Sequence, residues 1–286
     1  MAAERSDYIY TTKGGKKTGL GMIIQEHIGQ RKKIMRLAVS HLQKTYKGAL
    51  FGPSWAIIKP AFTLFILWFA FRVGLRGSGK VNGFPRFFFM LTGYVPWFYI
   101  SEAILGGARS IRNNRQYVTK LSFPMSNIMT FTSISSLLVH FVLVAIMYVV
   151  LIVGGYCPSV YNLQFLFYCP FMFLFFWILT WTTAPMAAFS KDFENLVSSI
   201  MTGLFWLSGI VYDTSRIKNP VIRKIFYINP INYFINGYRR SFLYDQPIID
   251  RENLLETAVV LGEMVILVLV GSKFYKKLRK LIPDVL

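Results

Sequence analysis

Apolar positions along this chain gather into long runs, with Lys and Arg collected in the gaps between them. A helix crossing a hydrocarbon core ~30 Å thick needs ~20 mostly apolar residues. Six runs approach that length, and they predict membrane spans at 55–73, 86–107, 128–153, 163–189, 195–212 and 253–271. The third and fourth are long enough to tilt. Pro170 and Pro185 are expected to bend the fourth. The fifth is short and carries Ser198, Ser199 and Thr202.

Ahead of the first span, Ile34, Met35, Ala38, Leu42, Tyr46 and Ala49 recur at helical spacing within residues 31–50. Lys33, Arg36, Ser40, Lys44 and Lys47 fill the other face, which predicts a basic amphipathic helix. Such a helix lies in the headgroup plane near anionic lipid, or is a plain cytoplasmic helix. The pattern divides the chain into a polar N-terminal segment at 1–54, a six-helix domain at 55–271 and a basic tail at 272–286.

Composition agrees with a bilayer as solvent. Of 286 residues 54% are hydrophobic and 16% charged, against about 25% charged in a soluble domain. The net charge of +19 raises the possibility of a nucleic-acid partner. The cations, however, sit between apolar runs, as cytoplasmic retention requires, and no nucleic acid is expected. Two cysteines, Cys157 and Cys169, give no disulfide framework, and no signal peptide opens the chain.

Counting Lys and Arg sets the orientation. With the N-terminus inside, cytoplasmic segments hold twenty and external segments nine, which favours both ends inside. Seven of the nine lie in 213–252, beside four acids. That segment reads either as short helices that re-enter or lie on the outer surface, or as an ordinary solvated loop. The fold expected is an all-α membrane protein with six transmembrane helices and an N-terminal interfacial helix.

Catalytic patterns are missing. His27, His41 and His140 are scattered, with no HExxH pair and no Gly-x-Ser-x-Gly elbow, so neither a metal site nor a catalytic nucleophile is predicted. Gly74, Gly79 and Lys80 mimic part of a phosphate-binding loop, but Val81 stands where Ser or Thr would hold magnesium. The stretch is read as a turn, and no cofactor is expected in this chain.

Lys59, Glu102 and Glu263 fall inside predicted spans, and an intramembrane charge carries a default functional suspicion. Lys59 and Glu102 lie at similar depth and are expected to pair or snorkel. Phe62, Phe65 and Phe69 follow one face of span one, and Ser198, Met201, Phe205, Ser208 and Tyr212 one face of span five. These faces either line a path for sugar rings or pack against lipid and neighbouring helices.

Four stretches together resemble the permease of ABC-2 type polysaccharide exporters, the group that moves O-antigen, capsule and wall teichoic acid. They are Lys44-Thr45-Tyr46-Lys47-Gly48-Ala49-Leu50-Phe51-Gly52-Pro53-Ser54-Trp55 with Pro60; Pro96-Trp97-Phe98 through Ser110-Ile111-Arg112-Asn113-Asn114 to Lys120-Leu121-Ser122-Phe123-Pro124; Lys191-Asp192 through Ser208-Gly209-Ile210-Val211-Tyr212; and Asn229-Pro230 with Gly237-Tyr238-Arg239-Arg240. Ser40-His41 and Gly209 depart from the family pattern, where an Arg-Asp pair and a Pro are common.

The resemblance implies an export subunit in a bacterial cytoplasmic membrane, without its own ATPase site. Two separate ATP-binding cassette subunits would hold ATP and Mg, and a second copy of this chain would complete the channel. The loop between spans two and three would carry the coupling helix, with Arg112, Asn113, Asn114, Arg115, Gln116 and Tyr117 as contacts. Lys33, Arg36, Lys44 and Lys47 would meet lipid headgroups or the pyrophosphate of a lipid-linked glycopolymer. Export of a drug or lipid is the nearest rival, and a membrane-embedded glycosyltransferase or ligase a further one.

Overall fold

The computed structural model describes residues 18–74, 79–121 and 123–286, and it is almost wholly helical. Helix α1 (Gly19–His27) is capped by Thr18, whose hydroxyl accepts from Gly21 N. It lies inside a segment the apolar pattern passed over, because nine residues with Ile23 and Ile24 are too short a run to stand out. Helix α2 (Arg31–Thr45) is the amphipathic helix, ending five residues before the predicted limit. Ile34 and Ala38 are buried against α6, whereas Met35 is half exposed. Gly48 and Gly52 both have positive φ, and they turn the chain from α2 into the first span.

The first span is a short 3₁₀ turn, Gly52–Ser54, continued by α3 (Trp55–Phe69). A two-stranded hairpin, β1 (Lys80–Val81) with β2 (Phe84–Pro85), follows. Lys80 and Val81 are thus extended, while 75–78 of the phosphate-loop mimic lie outside the described residues. Helix α4 (Arg86–Asn113) runs six residues beyond its predicted end, ~9 Å further. It is the central helix, 72% buried along its most apolar stretch, and it packs against α3, α6, α7, α8 and α10.

After the short α5 (Arg115–Thr119), the third span is α6 (Met125–Val153). The fourth is a 3₁₀ turn, Val160–Gln164, capped by Ser159 and leading into α7 (Phe165–Phe189). That helix continues through both Pro170 and Pro185. The expected fifth span is α8 (Lys191–Trp206), entered through Ser190, whose hydroxyl accepts from Phe193 N. It has 16 residues, ~24 Å of helix, and residues 207–212 beyond it are irregular, turned by Gly209 at φ 64°. The prediction of helix to 212 is therefore corrected at its outer end.

Helices α9 (Pro220–Ile228) and α10 (Pro230–Arg239) occupy the 213–252 segment, so it is not a plain loop. The last span, α11 (Arg251–Leu278), extends seven residues past 271, and α12 (Ile282–Val285) ends the chain. Among the described residues, five helices are long and apolar enough to cross a membrane: those at Gly52–Val73, Arg86–Asn113, Met125–Val153, Val160–Phe189 and Arg251–Leu278.

Candidate functional site

Three regions concentrate polar groups on this apolar frame. The first surrounds α5. Arg112 turns back onto the C-terminal end of α7, donating to Ala187 O at 2.7 and 3.1 Å and to Ala188 O at 3.1 Å. Carbonyls at a helix end lack intrahelical partners, and the guanidinium supplies them. Asn114 is buried and donates to Ser110 O at 2.9 Å. The Tyr117 ring sits between Phe123 and Phe131 at 5.9 and 5.7 Å. Of the six expected coupling residues, Asn113, Arg115 and Gln116 are therefore the three that face outward.

The expected headgroup cations divide similarly. Lys33 Nζ lies 4.6 Å over the Phe123 ring and Lys44 Nζ 6.0 Å from the Tyr117 ring centre, which docks α2 onto the α5 region by cation–π contacts. Arg36 and Lys47 stay exposed. Burial, and next Lys44, hold the His41 imidazole below its usual range, so it is neutral where it packs on Phe131.

Beside this lies a knot that no local pattern announced. Glu26 of α1 pairs with Arg279 at 2.8 Å and accepts from Tyr275 Oη at 2.6 Å and from Ser126 Oγ. His27 meets Thr130 Oγ1 at 2.7 Å, and Trp177 Nε1 donates to the same hydroxyl at 3.0 Å. Glu26 and Arg279 stand at opposite ends of the sequence, so only folding brings them together.

The second region is the open side of α3 and α8. Phe62, Phe65 and Phe69 are exposed, as a free face requires. The predicted face of span five is turned the other way. Met201 and Ser208 are buried, Ser198 accepts from Arg109 at 3.0 Å, and Phe205 meets Trp97 edge to face at 5.5 Å. Tyr212 donates to Trp206 O. The exposed face of α8 instead carries Asn195, Ser199, Thr202 and Trp206, at i, i+4, i+7 and i+11, beside Leu196 and Ile200. Lys59 and Glu102 are exposed nearby and form no ion pair with each other among the described residues; Arg109 binds Glu194 at 2.8 Å. Glu263 keeps one buried carboxylate oxygen with no hydrogen-bond partner among the described residues.

The third region is the outer cap. Asn229 accepts from Ile231 N at 2.9 Å to cap α10, with Pro230 at the first helical position, and its amide donates to Leu207 O at 3.1 Å and Ser208 Oγ at 3.2 Å. Gly237 packs so closely on Tyr168 that a Cβ would lie 2.4 Å from its ring. Tyr238 Oη meets His140 Nε2 at 2.6 Å. Arg239 is 1% exposed; it donates to Gly209 O at 2.8 Å and Ile210 O at 2.7 Å, 3.6 Å over the Phe89 ring. Arg240 pairs with Glu256 at 3.1 Å.

Asn229, Gly237, Tyr238, Arg239 and Arg240 thus fasten the cap to the rest of the chain, and Pro230 starts its helix. A comparison with known families matches residues 32–243 to the ABC-2 type transporter family. The chain belongs to that family. The matched range of this ABC-2 chain takes in α2, the α5 region, the open stripe and the cap. It is also similar to the O-antigen export system permease protein RfbA of Myxococcus xanthus, 25% identical over 259 residues covering 90% of this chain and 96% of the relative. Among the described residues of this ABC-2 chain, the expected site residues fall in two of the three regions. What the sequence reading missed is the Glu26 knot and the outward stripe of α8.

Proposed function

We propose that this chain is the transmembrane subunit of an ATP-driven exporter that moves a lipid-linked glycopolymer across the bacterial cytoplasmic membrane. The observation that carries the reading is the exposed set Asn195, Ser199, Thr202 and Trp206 on α8, the helix read as a further span. Polar side chains facing lipid cost free energy, so such a stripe belongs against water, a substrate or a second copy of the chain. The open face of α11 supplies the contrast: Leu254, Leu261, Val265 and Leu269 suit lipid. The named role of the Myxococcus relative supports a glycopolymer as the cargo.

The chain crosses six times, with both ends inside. Supporting this, Glu26 and Arg279 tie the N-terminal helix to the end of the last span, which puts both on one side of the membrane. An even number of crossings fits this tie, with α8 added as the fifth in chain order to the five long apolar helices. Its helix falls short of ~30 Å, and residues 207–212 complete the passage beneath the cap, where protein satisfies their backbone.

Two copies face each other across the open α3 and α8 surfaces. Two ATP-binding cassette subunits engage Asn113, Arg115 and Gln116 on the inner side. Arg112, Asn114 and Tyr117 hold that contact in place rather than make it. Arg36 and Lys47 remain free to meet lipid phosphate.

The test is co-reconstitution with the ATP-binding subunit in vesicles. Lipid-linked glycan is expected to stimulate ATP hydrolysis, and Arg115→Glu to abolish the stimulation while the permease still assembles. Transport without the ATPase, or stimulation by amphiphilic drugs alone, would overturn the reading.

A further inference from the structure

Two contiguous cavities of about 510 and 340 Å³ open at the outer end of the molecule and share Thr214, Asn236 and Arg240. Both are within the size range of small-ligand sites. The larger lies between the β1–β2 hairpin, the turn after α8, and the end of α10. Its walls carry planar amides, from Asn82, Asn236 and Gln246, beside the rings of Phe84 and Tyr244.

The polar groups are fixed before any ligand arrives. Asn236 Oδ1 accepts from the buried Arg239 at 3.3 Å, which orients its amide nitrogen. Asn82, at φ 53°, accepts from Arg216 at 3.3 Å. Asn232 Oδ1 accepts from Thr214, and its amide donates to Phe226 O at 3.0 Å. Phe84 and Tyr244 pack with centroids 5.2 Å apart and form an apolar wall.

The charges are answered in pairs. The larger cavity is lined by one cation, Arg240, and one acid, Asp213; the smaller by Arg223 and Arg240 against Glu252 and Glu256. Arg240 is bound to Glu256 at 3.1 Å and Arg216 to Asp213 at 3.5 Å. The seven cations of this segment therefore leave no unbalanced positive lining for a polyanion.

Rigid amides donate and accept at once, which matches vicinal hydroxyls, while aromatic walls accept the C–H faces of sugar rings. We infer that this double cavity is an exit-side subsite for an uncharged sugar segment of the exported polymer, selecting neutral glycan over polyol phosphate. The inference rests on the exporter reading and adds to it the substrate class. The larger cavity includes Asp213, just past the irregular 207–212 segment that follows α8.

The experiment uses the full chain in its own cells. A benzophenone amino acid replaces Gln246, an exposed wall residue, or Val160, an exposed outer residue outside both cavities. Irradiation during export is expected to give a glycan adduct at 246 and none at 160. The adduct should survive hydrofluoric acid, which cuts phosphodiesters and spares glycosidic bonds. Asn236→Ala should lower its yield about fivefold, the worth of one hydrogen bond.

Equal adducts at both positions, no adduct at 246 in cells that display polymer, or an adduct destroyed by the acid would each overturn the subsite. Polymer displayed normally after deletion of the gene would remove the exporter reading, and the subsite with it.

Discussion

The outer cap and the open face of α3 and α8 are built on opposite principles. Eight of the ten residues of α10 are buried, and its Arg239 alone engages the carbonyls of Gly209 and Ile210 and the Phe89 ring. The first span is 11% buried along its most apolar stretch, and the Asn195, Ser199, Thr202 and Trp206 side chains of α8 are exposed, with Ser199 bonded only to its own helix at Asn195 O. The cap covers most of its polar groups within the chain, Arg239 Nε being a buried atom with no partner among the described residues. The α8 face leaves polar side chains uncovered, which costs free energy wherever they meet lipid. The difference separates the groups that hold the molecule from those the chain leaves open.

The strongest way to break the comparison is at Arg239. Arg239→Ala is expected to lower stability by about 3 kcal/mol, since it strands buried carbonyls and empties a cation's space. Thermal unfolding in nanodiscs measures this, and Arg239→Lys should recover less than half, lacking the planar fork. Glu26→Ala comes next, at about 2 kcal/mol, through loss of the buried Arg279 pair and the Tyr275 and Ser126 bonds. Its effect should appear as faster hydrogen exchange in α1 and in the end of α11.

Gly93→Ala should cost about 1–2 kcal/mol, because its Cβ would lie 2.6 Å from Arg239 Nη2.

A smaller effect is expected from pH. His41 is held below its ordinary value when folded, so the unfolded chain binds the extra proton first as pH falls. Stability from this residue is present above about pH 6.5 and declines below it. Amide protection in α2, relative to the intrinsic exchange rate at each pH, should fall between pH 7 and 5.5, and His41→Gln should flatten that trend. The smallest stability change belongs to the open stripe. Ser199→Leu with Thr202→Leu should shift unfolding by under about 0.5 kcal/mol while export falls severalfold. A large loss of stability there would place the stripe among the structural elements and erase the contrast.

The placement of the long helices was legible because a bilayer demands length and hydrophobicity, both one-dimensional properties. The amphipathic helix and the position of the α5 region were legible too. The facing of α8 was not. Its two stripes, Ser198 to Tyr212 and Asn195 to Trp206, both follow helical steps of three and four and both mix polar with aromatic residues. Periodicity reports that a helix has faces, but a neighbour decides which is covered. Here Arg109 and Trp97 of α4 claim the first stripe.

The sequence by itself determined a helical membrane protein and the order of its five long apolar helices, because transfer from water to lipid acts residue by residue along the chain. Only the tertiary structure decided that Glu26 meets Arg279, that Arg112, Asn114 and Tyr117 turn inward, and that Arg239 is a buried brace. Those outcomes depend on hydrogen bonds between residues far apart in sequence, whose partners exist only once the helices have packed.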